Sequence, residues 1–138
     1  MAVPRSKEAR LDHRCAFQRY EEAEILLKEA RPTGAVYLAG YAVECMLKAL
    51  ILSSTPPGGL ENMLRSFRGR QAHDYEWLKA RYHQNGGAMF PPEIRRSFAL
   101  ANEWSTEIRY SPEVLGEEKA EGFLKAAKAI VSWADGRL

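Results

Sequence analysis

Residues 34–52 read GAVYLAGYAVECMLKALIL. The stretch is nearly apolar all round yet carries one polar line, and its only formal charges are Glu44 and Lys48. A helix this apolar belongs at the centre of a bundle, covered by several neighbours. Tyr37, Tyr41, Glu44 and Lys48 recur at spacings of four, three and four, so they share one face. That polar line is either the seam of an oligomer or the floor of a site. Glu44 stands four residues ahead of Lys48, the favourable order for an intrahelical pair. A mostly buried pair is costly unless satisfied, and Tyr37 and Tyr41 can supply hydroxyl partners. The line is therefore read as structural, fixing bundle register or a dimer seam. Its two internal charges and its many small residues argue against a membrane span.

Upstream, Ala16, Tyr20, Ala23, Leu27 and Ala30 repeat at helical spacing, with Leu11 extending the stripe backwards. This predicts a first helix over about Lys7 to Ala30. Proline cannot continue the hydrogen-bond ladder, so Arg31 to Gly34 is read as its stop and the central helix as about Ala35 to Leu52. Pro56, Pro57, Gly58 and Gly59 close the central helix. Leu60, Met63, Leu64 and Phe67 suit a short helix. Tyr75, Trp77, Leu78 and Tyr82 suit another, with Asp74 as its cap. Pro91 and Pro92 open a further helix. In it Ile94, Phe98, Ala101 and Ile108 point one way, while Arg95, Asn102, Thr106 and Arg109 lie along the opposite side. Ser111-Pro112 breaks that pattern. A last helix carries Ala120, Phe123, Leu124, Ala127, Ile130, Val131 and Ala134. No stretch demands a strand. The expected fold is all-α: an antiparallel up-and-down bundle of four long helices plus one or two short ones.

At 138 residues the chain suffices for a single domain over 1–138, without repeats or a composition break. A net charge of +2 neither demands nor excludes a nucleic-acid partner. Arg outnumbers Lys by 13 to 7, which suits two-pronged phosphate contact but equally an ordinary surface. The first residues, MAVPRSKEAR, hold no apolar export segment, so a reducing cytoplasm is expected and no disulfide is needed between Cys15 and Cys45. His13, His73, His83 and the two cysteines make no metal-ligand spacing, and no glycine pattern cradles a phosphate. No metal or cofactor is expected. Trp77, Trp104 and Trp133 fall where core or interface aromatics belong.

Three features together resemble the HEPN domain family, the helical domain shared by higher eukaryotic and prokaryotic nucleotide-binding proteins. They are GAVYLAGYAVECMLKALI at 34–51, the His73-Asp74 pair before an aromatic helix, and WSTEIRYSP at 104–112. The resemblance implies a helical, commonly dimeric, cytoplasmic domain, often encoded beside a minimal nucleotidyltransferase in toxin–antitoxin pairs. Some members are metal-independent ribonucleases that use an Arg, four to six intervening residues and a His. Arg109 matches that Arg. The His would fall at 114–116, where this chain has Val114, Leu115 and Gly116, and Tyr110, Ser111 and Pro112 resemble the variant of members lacking the motif. Arg68 and His73 also stand with four residues between them, but ahead of a different helix; His73 is read as a loop-fixing or capping group.

Metal-free RNA cleavage needs proton transfer near neutral pH, which suits His, and positive charge at the phosphoryl oxygens, which suits Arg. Arg109 alone supplies only the second. The leading expectation is a non-catalytic module, a homodimer that binds a nucleotidyltransferase partner, RNA or a nucleotide. In it Arg109, Asn102 and Thr106 would contact phosphate. The alternatives are a divergent ribonuclease using Arg109, or Arg68 and His73, and a purely structural interaction domain.

Overall fold

The structure, a computed structural model, describes residues 6–102, 104 and 115–138. Among these residues the chain is an all-α bundle of six helices. α1 spans Lys7–Lys28 and α2 spans Pro32–Ser54. α3 is Leu60–Ser66, α4 Tyr75–Gln84, α5 Pro92–Ala101 and α6 Glu117–Asp135. Single 3-10 turns precede α3 and α4, at Pro57–Gly59 and Arg70–His73.

Local chemistry sets most of these boundaries. The Ser6 hydroxyl accepts from the Ala9 N–H at 3.0 Å and caps α1. The carboxylate of Asp74 caps α4, accepting from the Glu76 N–H at 2.9 Å. α1 ends in a tight turn in which the Arg31 N–H donates to the Leu26 carbonyl at 2.8 Å, and Ala30 takes a left-handed φ of 58°. Pro32 does not lie in a stop between helices, as expected, but inside the first turn of α2. Its missing N–H is one that a helix start leaves unpaired in any case. α5 also departs from expectation. The helix foreseen as running on to Ile108 closes at Ala101, where the Asn102 and Trp104 N–H groups turn back to Phe98 and Ala101.

α2 is the axis of the molecule, packing against α1, α4 and α6. It is long and apolar enough to cross a membrane by composition, yet most of it is covered by the other helices. α1 lays a stripe of fully buried alanines, Ala9, Ala16 and Ala23, against it. His13, on the same stripe, reaches Asp135 at the end of α6 at 2.7 Å and so ties first helix to last. On another side, Tyr75 stacks on Trp104 with ring centroids 5.4 Å apart, and Phe98 meets Tyr75 edge-on.

Gly40 makes this aromatic packing possible. A Cβ at that position would lie 2.0 Å from Trp104 Nε1. The indole has little room to yield, because Nε1–H donates to the Tyr37 carbonyl at 3.1 Å. Gly122, within α6, has nothing within 4 Å of its hypothetical Cβ. The two glycines predict opposite outcomes. Gly40→Ala lowers stability by about 3 kcal/mol through overpacking. Gly122→Ala raises it by about 0.5–1 kcal/mol through helix propensity alone. Urea melts of the two variants check both signs.

Candidate ligand-binding site on the central helix

The face of α2 bearing Tyr37, Leu38, Tyr41, Cys45 and Lys48 is half-buried, whereas the rest of the helix core is closed off. Glu44 sits just behind this face at 3% exposure. Its two carboxylate oxygens are taken by different partners. Oε2 accepts from Lys48 Nζ at 2.8 Å, the pairing expected from their spacing. Oε1 lies 2.9 Å from Nδ1 of His73, contributed by the 3-10 turn ahead of α4. Lys48 also lies over the Phe67 ring, 5.5 Å from its centroid. Each ion thus has more than one partner, which a buried charge requires.

The aromatic half of the line continues from this network. Tyr41 meets His73, Tyr37 and Trp104 edge-on, at centroid distances of 6.3, 5.0 and 5.0 Å. The Tyr37 hydroxyl lies 3.5 Å from that of Tyr41, at the limit of a hydrogen bond. Beneath them the Tyr75 hydroxyl donates to the Gly40 carbonyl at 2.7 Å, and burial pushes its pKa well above the ordinary phenol value. The four residues of the polar line are therefore brought together, and His73 joins them as the loop-fixing group foreseen for it.

Asp12 of α1 is the member that sequence reasoning missed. A short turn folds α2 back along α1, with Leu26 against Gly34, and Asp12 comes close enough to Lys48, and Cys15 to Cys45, for each pair to interact electrostatically. Burial pushes the Asp12 carboxyl up to about 6; Lys48 opposes that rise and Glu44 adds to it. The Cys45 thiol is pushed up to about 12, first by burial and then by Asp12 and Glu44. Both cysteines are free thiols. The available signal for Asp12 was its place on the Ala9–His13–Ala16 side of α1.

The other expected site residues are not gathered here. Asn102 is exposed just past the end of α5. Thr106 and Arg109 lie outside the described residues, as does Val114. Arg68 is exposed, and among the described residues His73 bonds to Glu44 rather than to Arg68. Leu115, the middle of the three positions at which a ribonuclease histidine was sought, is half-buried, and its N–H donates to the Thr33 hydroxyl at 2.9 Å. With Val36, Leu100, Trp104, Lys119 and Phe123 it lines a largely apolar cavity of about 320 Å³. Among the described residues, no group of three or more His, Cys, Asp and Glu side chains is arranged to hold a metal ion.

A family model for the HEPN domain matches residues 13–137. The chain belongs to the HEPN domain family. No curated protein and no solved structure matched it. The HEPN match runs from the α1 stripe through α6, so it takes in both the polar network and the 104–112 stretch.

Glu44 and His73 separate in their expected costs. Glu44→Gln leaves Lys48 without its buried counter-charge and lowers stability by about 3 kcal/mol. His73→Ala removes a hydrogen bond from a side chain 43% exposed and costs about 1 kcal/mol. Equal losses in denaturant titrations would contradict this hierarchy. For Asp12 the sign follows from its raised folded-state pKa. The protonated carboxyl favours the folded state; that contribution is complete below pH ~4 and is lost as pH rises through about 6. Asp12→Asn is therefore close to neutral at pH 4 and stabilising by about 2 kcal/mol at pH 7.5. Parallel stability profiles for the variant and the parent chain would show that folding leaves the pKa of the carboxyl where it is in the unfolded chain.

Proposed function

We propose that this HEPN domain is a non-catalytic binding module for RNA, contacting it through phosphate. The observation that carries the reading is Leu115. The side chain at the centre of the positions where the ribonuclease histidine would fall is apolar and lines an apolar cavity, so it can neither accept nor deliver a proton. His73 stands elsewhere, in the 3-10 turn ahead of α4, where its Nδ1 is held by Glu44. Arg109 is retained, and a guanidinium serves phosphate binding without any proton transfer. In this reading Arg109, with Asn102 and Thr106, contacts phosphate. Trp104, which opens the same stretch, is pinned to α2 beside Tyr37 and Tyr41 and supports that reading.

The family's habits extend the proposal to assembly and setting. The module works as a cytoplasmic homodimer, beside a minimal nucleotidyltransferase partner and in a toxin–antitoxin pair. The half-exposed tyrosine face of α2 is the surface offered for the dimer seam.

The test incubates the purified protein with a mixed pool of labelled RNAs, with and without EDTA, and follows gel shift and cleavage together. The expected result is a shift without cleavage, weakened about tenfold by Arg109→Ala through loss of a charge-assisted contact. Cleavage that survives EDTA and disappears in Arg109→Ala would replace this reading with a ribonuclease. The absence of a shift would remove RNA as the ligand.

A further inference from the structure

The segment between α3 and α4 carries an imbalance of charge that the site on α2 does not use. From Glu44 to Arg81 every carboxylate is engaged. Glu44 holds Lys48 and His73, Glu61 holds Arg65 at 2.8 Å, Glu76 holds Lys79, and Asp74 caps α4. Arg68, Arg70 and Arg81 are left without an ion pair among the described residues. Arg68 and Arg70 are both exposed and flank Gly69. Gly69 has an ordinary φ of −83°, and a Cβ there would meet nothing within 4 Å. Neither backbone conformation nor internal packing therefore calls for glycine between the two guanidiniums, and the chain there is open to close approach from outside.

The turn carrying these arginines is firmly held. Ala72 is fully buried, its N–H donates to the Gly69 carbonyl, and His73 is bonded to Glu44. Beside it stands a small aromatic surface. Phe67 and Trp77 meet edge-on with centroids 6.3 Å apart, and the Arg81 guanidinium lies 4.8 Å over the Trp77 ring. Unpaired cations next to partly exposed aromatics form the combination that single-stranded nucleic acid recognises. The cations track the phosphates, and the rings and guanidinium planes receive bases.

We propose that the Arg68–His73 turn, with Trp77 and Arg81 of α4, is a docking edge for the backbone of single-stranded RNA, built from residues other than those of the 104–112 stretch. The proposal rests on the RNA-binding reading and gives it a second contact surface. Arg68 and Arg70 each neutralise one phosphate, and the aromatic pair behind them sets where the strand lies.

The test measures affinity for a fluorescein-labelled 20-nucleotide oligouridine as a function of KCl concentration. Each phosphate contact to a single strand contributes about 0.7 to the slope of log K against log salt. R68Q/R70Q is therefore expected to reduce the magnitude of that slope by about 1.4, with an unchanged thermal melt because both side chains are exposed. K125Q/K128Q, removing two exposed charges on α6, is expected to leave the slope as it was. An unchanged slope in R68Q/R70Q would overturn this docking edge and leave the Arg109 reading standing. An equal fall in K125Q/K128Q would overturn it as well, since the effect would then be one of overall charge. No binding by the parent chain would overturn both readings together.

Discussion

A carboxylate buried in the most apolar helix of the chain governs how the rest is arranged. Glu44 is 3% exposed, and an isolated charge at that depth is too costly to keep. Lys48, one helical turn on, answers one oxygen without help from any other element. The second oxygen needs a donor from elsewhere, and His73 provides it from a turn 29 residues away in sequence. The requirement to satisfy Glu44 thus fixes the position of the 70–73 turn relative to α2. It also fixes the start of α4, because Asp74 next to His73 caps that helix. The same bonds that neutralise the carboxylate lock one element of the bundle onto another.

Close packing on the neighbouring stretch of α2 does the complementary work. Gly40 lets the Trp104 indole come against the helix backbone, where its N–H reaches the Tyr37 carbonyl and its ring stacks on Tyr75. The alanine stripe of α1 brings the other neighbour equally near. With bulk removed from both contacts, the larger side chains of α2 on the remaining face are left half-open. Tyr37, Tyr41 and Lys48 form a polar surface because the helix has spent its small residues elsewhere.

Periodicity made α1, α2, α4 and α6 legible, since each pattern is local and repeats over several turns. The polar line was legible for the same reason. The spacing of Glu44 and Lys48 already predicts a 2.8 Å pair, and the Asp74 cap follows from one residue and its position. Pro32 was misread because a proline near a boundary signals the end of one helix and the start of the next equally well. The choice depends on whether its missing N–H falls in a first turn, as it does here. Asp12, and the partners of Trp104 although not its place in the core, were out of reach for a different reason. Their roles depend on what lies across an interface: Lys48 and Glu44 for one, the bare backbone of Gly40 for the other. Of the expected phosphate-contacting residues, only Asn102 falls within the described residues, where it is exposed just past α5.

The network's own chemistry favours holding over reacting. A general acid or base must exchange its proton during a cycle, and doing so requires that its partners tolerate the change of charge. Glu44 accepts from two donors, and protonating it would take from Lys48 its ion-pair partner at 13% side-chain exposure. His73, in turn, orders the loop through the nitrogen it gives to Glu44. A proton placed on Glu44 would loosen the contact between α2 and the 70–73 turn. Asp12 differs, because burial holds its carboxyl close to neutrality at about 6 and it anchors no element by an ion pair among the described residues. It can change charge while leaving the Glu44 bonds intact, altering the field at Lys48 without undoing the fold. The network is therefore built as a fixed charged scaffold with one adjustable carboxyl at its edge.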